Sequence, residues 1–104
     1  MNEIIMKLLT WNVNSIRMRL HQLLNLIKNE SPDVICLQET KVSNDAFPKQ
    51  EIEDLDYNVY LNGAPAYNGV AILSKRKACE IKIKKFCGKN DSRHLSILVD
   101  KINI

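Results

Sequence analysis

Apolar residues follow two different periods in the first third of this chain. Met6-Lys7-Leu8-Leu9-Thr10-Trp11 is short, largely apolar and closed by the polar Asn12-Val13-Asn14-Ser15, a pattern that predicts a buried strand ending in a turn. From Ile16 the period lengthens. Ile16, Leu20, Leu23, Leu24 and Ile27 recur at i, i+4, i+7, i+8 and i+11, the stripe of an amphipathic helix, while Arg17, Arg19, His21, Gln22, Asn25 and Lys28 fill the other face. Ser15 stands where an N-cap would, its hydroxyl available to a free amide of the first turn. Ser31-Pro32 ends the helix, because proline lacks an amide hydrogen and clashes with the preceding turn. Asp33-Val34-Ile35-Cys36-Leu37-Gln38 is then a nearly continuous apolar run without alternation, suited to a strand covered on both faces.

Strand, helix and strand in this order form a βαβ unit whose crossover makes the strands parallel, with both carboxyl ends on one rim. Ligands of open α/β sheets bind at that rim. Beyond it the pattern predicts a polar loop from Glu39 to Asn44 and a short helix beginning near Pro48. Four strand-like runs follow, Tyr57–Asn62, Gly69–Ser74, Glu80–Phe86 and Leu95–Asp100, expected as antiparallel additions. They are joined by turns at Asn62-Gly63-Ala64-Pro65, Lys75–Lys77 and Gly88–Ser92. Ile102-Asn103-Ile104 begins a further alternating run after the two-residue connection Asp100-Lys101.

With 104 residues, one core is expected. A content of 45% hydrophobic and 26% charged residues excludes disordered and fibrous classes. A net charge of +3 is compatible with an anionic partner without requiring one. No apolar run approaches the roughly 20 residues that span a bilayer, and the opening Met1–Met6 segment is too short for a signal peptide, so a cytoplasmic location is expected. The odd set Cys36, Cys79 and Cys87 has no C-x-x-C pair and predicts reduced thiols without a disulfide. The spacing of Cys79, Cys87 and His94 fits no metal template.

The candidate chemistry gathers at the rim. Glu39 and Asn12 end the two parallel strands, and a carboxylate with an amide oxygen is a hard donor pair of the kind Mg²⁺ takes. Alternatively, Glu39 begins a solvated loop and Asn12 makes a turn by bonding its own backbone; spacing alone leaves both open. Arg17 and Arg19 lie in the first helical turn, where a cation opposes the macrodipole unless an anion sits nearby. Lys41 and Tyr67 lie on loops, where a solvated lysine and a packed tyrosine are the plain descriptions. No Gly-rich phosphate loop and no serine or cysteine paired with a base is recognisable.

Pro32-Asp33-Val34-Ile35-Cys36-Leu37-Gln38-Glu39-Thr40-Lys41 resembles the signature of the exonuclease III class of apurinic/apyrimidinic (AP) endonucleases, within the endonuclease/exonuclease/phosphatase superfamily. Leu9-Thr10-Trp11-Asn12-Val13-Asn14-Ser15-Ile16-Arg17 is similar to that family's first strand and turn. Asp45-Ala46-Phe47-Pro48 resembles a bacterial exonuclease III segment, and Tyr67-Asn68-Gly69-Val70-Ala71-Ile72-Leu73-Ser74 the strand after it. The similarity runs in register from Met6 to about Val99.

This resemblance implies an α/β (α+β) fold, the N-terminal part of a DNase I-like four-layer sandwich with a mixed sheet. Residues 1–104 would then be the N-terminal portion of the domain, its C-terminal half being absent. It implies that Glu39 binds the catalytic Mg²⁺, with Mn²⁺ as a substitute, that Asn12 helps form the same site, and that Arg17, Lys41 and Tyr67 lie near the DNA backbone. Some relatives carry an aspartate at the position of Asn14 that also approaches the metal; the amide weakens that case, and Asn14 is not counted as a ligand. The implied activity is magnesium-dependent DNA repair, as 3′–5′ exonuclease and AP endonuclease on duplex DNA with abasic sites or 3′ ends, by a monomer in the intact enzyme. The family's water-orienting aspartate–asparagine pair and its C-terminal aspartate–histidine pair have no counterpart here, and His94 falls too early to serve. The chain alone is therefore expected to be inactive and poorly stable. Two rival readings stand beside this one: a non-enzymatic truncated or split-gene product, and a superfamily phosphoesterase acting on an inositol phosphate or sphingolipid.

Overall fold

A computed structural model describes residues 6–63, 68–78, 80–82, 96–99 and 102–104. The predicted βαβ unit is present. Strand β1 (Leu8–Asn12) pairs in parallel with β2 (Val34–Gln38), from Leu8 opposite Val34 to Asn12 opposite Gln38, and helix α1 (Ile16–Glu30) joins them. A single 3₁₀ turn (Asn44–Ala46), which the polar-loop expectation did not include, precedes the short helix α2 (Lys49–Glu53) that follows Pro48. Strands β3 (Asn58–Asn62) and β4 (Val70–Ser74) form an antiparallel pair, and β4 also lies antiparallel to β2. The result is a mixed four-stranded sheet in the order β1-β2-β4-β3. A second sheet in the order β5-β6-β7 comprises β5 (Glu80–Lys82), β6 (Ser96–Val99) and β7 (Ile102–Asn103), all antiparallel. Val99 pairs with Ile102, as a two-residue connection requires. The predicted extensions of β5 to Phe86 and of β6 to Leu95 and Asp100 lie outside the described residues, as does the Gly88–Ser92 turn.

One face of the larger sheet carries the main core. Ile35 and Leu37 of β2 and Ala71 and Leu73 of β4 pack against Ile16, Leu23 and Ile27 of α1, with Val42, Phe47, Ile52 and Tyr57 closing the cluster. Burying each of the three helix residues stabilises the fold by about 1.5–3 kcal/mol. Two expectations require correction. β1 alternates between exposed and half-buried positions and leaves Leu8 56% exposed, because it is an edge strand covered by α1 on one face only. Ser15 occupies the N-cap position with φ 88° and makes no side-chain cap bond; its backbone is not in the extended conformation that aims a cap oxygen at the first turn. The helix instead ends on a left-handed Ser31, whose amide donates to the Ile27 carbonyl at 2.9 Å.

Candidate functional site

Register places the carboxyl ends of β1 and β2 side by side, so that Glu39 is the first residue beyond the partner of Asn12. Three connecting segments are laced together there by backbone hydrogen bonds. The amides of Val13, Ser15 and Ile16 donate to the carbonyls of Gln38, Glu39 and Thr40 at 3.0, 2.8 and 3.0 Å. Those of Thr40 and Lys41 donate to the carbonyls of Gly69 and Asn68 at 3.0 and 2.9 Å. Eight described residues have positive φ, and six of them, Asn14, Ser15, Glu39, Lys41, Asn68 and Gly69, lie in these three segments. For Glu39 and Lys41 the left-handed conformation costs about 1–2 kcal/mol each, offset by the lacing and by the fully buried Thr40 between them. The consequence is a rim whose side-chain directions are set by a strained, pinned backbone.

Four of those side chains meet. The Asn12 amide nitrogen donates to Glu39 Oε2, and Asn12 Oδ1 accepts the Asn14 amide at 3.2 Å. Because a backbone amide can only donate, this contact fixes which end of the Asn12 side chain faces the carboxylate. Asn12 therefore makes its local turn and touches Glu39 at once, so the two descriptions open at the sequence level are compatible. Lys41 Nζ donates to Asn14 Oδ1 at 2.5 Å and stands 3.9 Å from Glu39 Oε1. Glu39 and Lys41 are 43% and 33% exposed, leaving the group open to a ligand yet partly shielded. Beneath them the Gln38 amide donates to Thr10 Oγ1 at 2.9 Å, a diagonal bond that ties the end of β2 to β1.

Sequence reasoning passed over Asn14 as a ligand, and the structure gives it a different task, as the acceptor that holds the lysine. The available signal was the Asn12-x-Asn14 spacing of a side-chain-to-backbone turn. Arg17 is exposed in the first turn of α1, which contains no acidic residue, and forms no ion pair with a described residue. Tyr67, Cys79, Cys87 and His94 lie outside the described residues. His21 faces Asn25 on the exposed side of α1, away from the rim. Cys36 is a free, half-buried thiol whose pKa is pushed up by burial, the opposite of what a nucleophilic cysteine needs. No three histidine, cysteine, aspartate or glutamate side chains converge among the described residues, and Glu39 is the carboxylate that the described contacts bring to this rim.

Residues 9–101 match the model of the endonuclease/exonuclease/phosphatase family. The chain belongs to that family. It is 38% identical over 95 residues to the exodeoxyribonuclease III of Haemophilus influenzae, an alignment that takes in 91% of this chain and 36% of the relative. It is 40% identical over 80 residues to an exodeoxyribonuclease of Bacillus subtilis, covering 73% of this chain and 31% of that protein. Among solved structures, an AP endonuclease from Archaeoglobus fulgidus superposes with a TM-score of 0.89 at 35% identity, over 95% of this chain and 39% of that one. A 3′ phosphatase from Neisseria bound to a product DNA hairpin superposes with a TM-score of 0.87 at 32% identity, over 95% of this chain and 39% of that one. The mixed-sheet, DNase I-like α/β architecture anticipated from the sequence is therefore the architecture of this endonuclease/exonuclease/phosphatase chain.

Proposed function

We propose that this chain is the N-terminal, cation-binding portion of a magnesium-dependent DNA-repair nuclease of the exodeoxyribonuclease III type, hydrolysing phosphodiesters of duplex DNA at abasic sites or 3′ ends. The observation that carries this reading is the contact of Asn12 with Glu39 at the shared carboxyl rim of β1 and β2. A partly exposed carboxylate, oriented by an amide and held on a pinned backbone, fits the hard-oxygen preference of Mg²⁺, which keeps several waters and takes one or two protein carboxylates. Glu39 would hold the ion, or Mn²⁺ in its place, and Asn12 would orient the carboxylate. When bound, such an ion supplies Lewis-acid stabilisation of the charge that builds on a phosphodiester oxygen. The chain's own residues bind and align the substrate: Lys41 beside the carboxylate, Arg17 at the exposed start of α1, and Tyr67 each offer a contact to the DNA backbone. No described residue is placed to activate water or protonate the leaving oxygen, and on this reading the isolated chain does not turn over and is poorly stable.

The test is incision of a duplex carrying one abasic site, with magnesium and with chelator, by the 104-residue chain and by a chimera bearing the remainder of the Haemophilus relative. Metal-dependent incision by the chimera, lost on Glu39→Gln, is expected, with no incision by the chain alone. A chimera that cuts equally well with Glu39→Gln would overturn the assignment.

A further inference from the structure

At the rim the Glu39 carboxylate faces the Lys41 ammonium at 3.9 Å, and the two asparagines that complete this group of described side chains are neutral. The exposed Arg17 guanidinium at the start of α1 adds further positive charge. Both carboxylate oxygens are engaged, Oε2 by the Asn12 amide and Oε1 by the Lys41 charge. Asn14 holds the Lys41 ammonium at 2.5 Å beside the carboxylate, and both residues sit on left-handed backbone. A divalent cation entering beside Oε1 must approach this ammonium, and the repulsion between them subtracts from the attraction of the Glu39 carboxylate.

We propose that Lys41, held by Asn14, keeps the cation affinity of the free protein low, so that cation and a substrate phosphate bind cooperatively. The inference rests on the reading of Glu39 as cation ligand. An incoming phosphate brings the negative charge the site lacks, pairs with Lys41 and lifts its opposition at Glu39. By linkage the cation then strengthens phosphate binding by the same factor. Asn14 is thereby a positioning residue: an amide oxygen holds the ammonium without neutralising it, whereas a carboxylate there would cancel its charge.

The experiment titrates the chain with Mn²⁺ and follows the free ion by electron paramagnetic resonance, without DNA and with a short duplex. Removing the ammonium with Lys41→Met should tighten Mn²⁺ binding in the absence of DNA on the order of tenfold, the scale expected for a divalent ion near one unit charge in a largely aqueous setting. Lys41→Arg, which keeps the charge, should leave affinity within about twofold of the parent, separating charge from packing. Lys41→Gln, which removes the charge but keeps an amide that can reach Asn14, should tighten binding likewise, which preserves the test if Lys41→Met fails to fold. The duplex should raise Mn²⁺ affinity in the parent and raise it less in Lys41→Met. Unchanged or weaker Mn²⁺ binding in both Lys41→Met and Lys41→Gln overturns the inference while leaving the site intact, provided Glu39→Gln abolishes binding. If Glu39→Gln also binds Mn²⁺ like the parent, the proposed site itself falls.

Discussion

Gly63 reports how tightly the candidate site is tied to the rest of the fold. A methyl group built on its backbone would stand 2.5 Å from the Val42 carbonyl oxygen, 2.7 Å from Asn44 Oδ1 and 3.0 Å from the Asn44 amide nitrogen. The Gly63 amide also donates to Asn44 Oδ1 at 2.7 Å, so the same close approach that excludes a side chain makes a hydrogen bond. In Gly63→Ala the Asn44 side chain can turn aside, but Val42 meets the methyl with backbone and must move. Overpacking of this kind costs about 1–3 kcal/mol, and a displaced hydrogen bond about 0.5–1.5 kcal/mol more. For a domain of this size that corresponds to a melting temperature lower by roughly 5–25 °C. Val42 directly follows Lys41, so the shift should also disturb the lysine's contact with Asn14. Urea unfolding followed by far-ultraviolet circular dichroism measures the first effect, and the Lys41 and Asn14 side-chain resonances the second. A Gly63→Ala protein within about 0.5 kcal/mol of the parent, with those resonances unmoved, would show that the β3–β4 connection gives way freely and does not brace the site.

Three further outcomes are expected. Leu23→Ala, on the buried face of α1, should destabilise the chain by about 2–5 kcal/mol in the same urea experiment; a loss under 1 kcal/mol would contradict the assigned core. Tyr57 donates its hydroxyl to the Pro32 carbonyl, and burial, aided by the Asp33 charge, raises its pKa. A raised folded-state pKa means the native chain binds the proton more tightly, so stability is fully present below pH about 10 and declines as pH rises through the folded value. Tyr57→Phe should be less stable at neutral pH and lack that alkaline decline; an unchanged decline would assign it to other groups. Arg17→Ala and Lys41→Ala should each reduce the salt dependence of duplex binding by about one phosphate contact, and a slope unchanged in both would return them to solvated surface.

What could be read from residues alone was what local periodicity dictates. The change from a short apolar run to the Ile16–Ile27 stripe and back identified the βαβ unit, and parallel pairing then had to bring Asn12 and Glu39 to one rim. Exposure of β1 was not legible, since an apolar strand at a sheet edge and one at its centre have similar composition, and only the strand order distinguishes them. Ser15 misled for a related reason: its residue type suits a cap, but its amide is laced to the Glu39 carbonyl and its backbone, at φ 88° and ψ 106°, lies outside the extended conformation of a capping residue. The Lys41 contact to Asn14 depends on two such turns meeting across 27 residues of sequence, and no pattern within either segment announces it. The family was legible because the ten residues that carry its signature run consecutively along β2 to that rim.

The claim that a divalent cation sits on Glu39 at the shared rim is tested most directly by paramagnetic broadening. Substoichiometric Mn²⁺ added to ¹⁵N-labelled chain broadens amides steeply with proximity, whatever the chain's activity. The amides of residues 13–15, 39–41 and 68–69 should broaden first and together, and the effect should vanish in Glu39→Gln. Broadening that begins instead at the exposed acidic stretch Glu51–Asp56, or that persists at the rim in Glu39→Gln, would contradict the account.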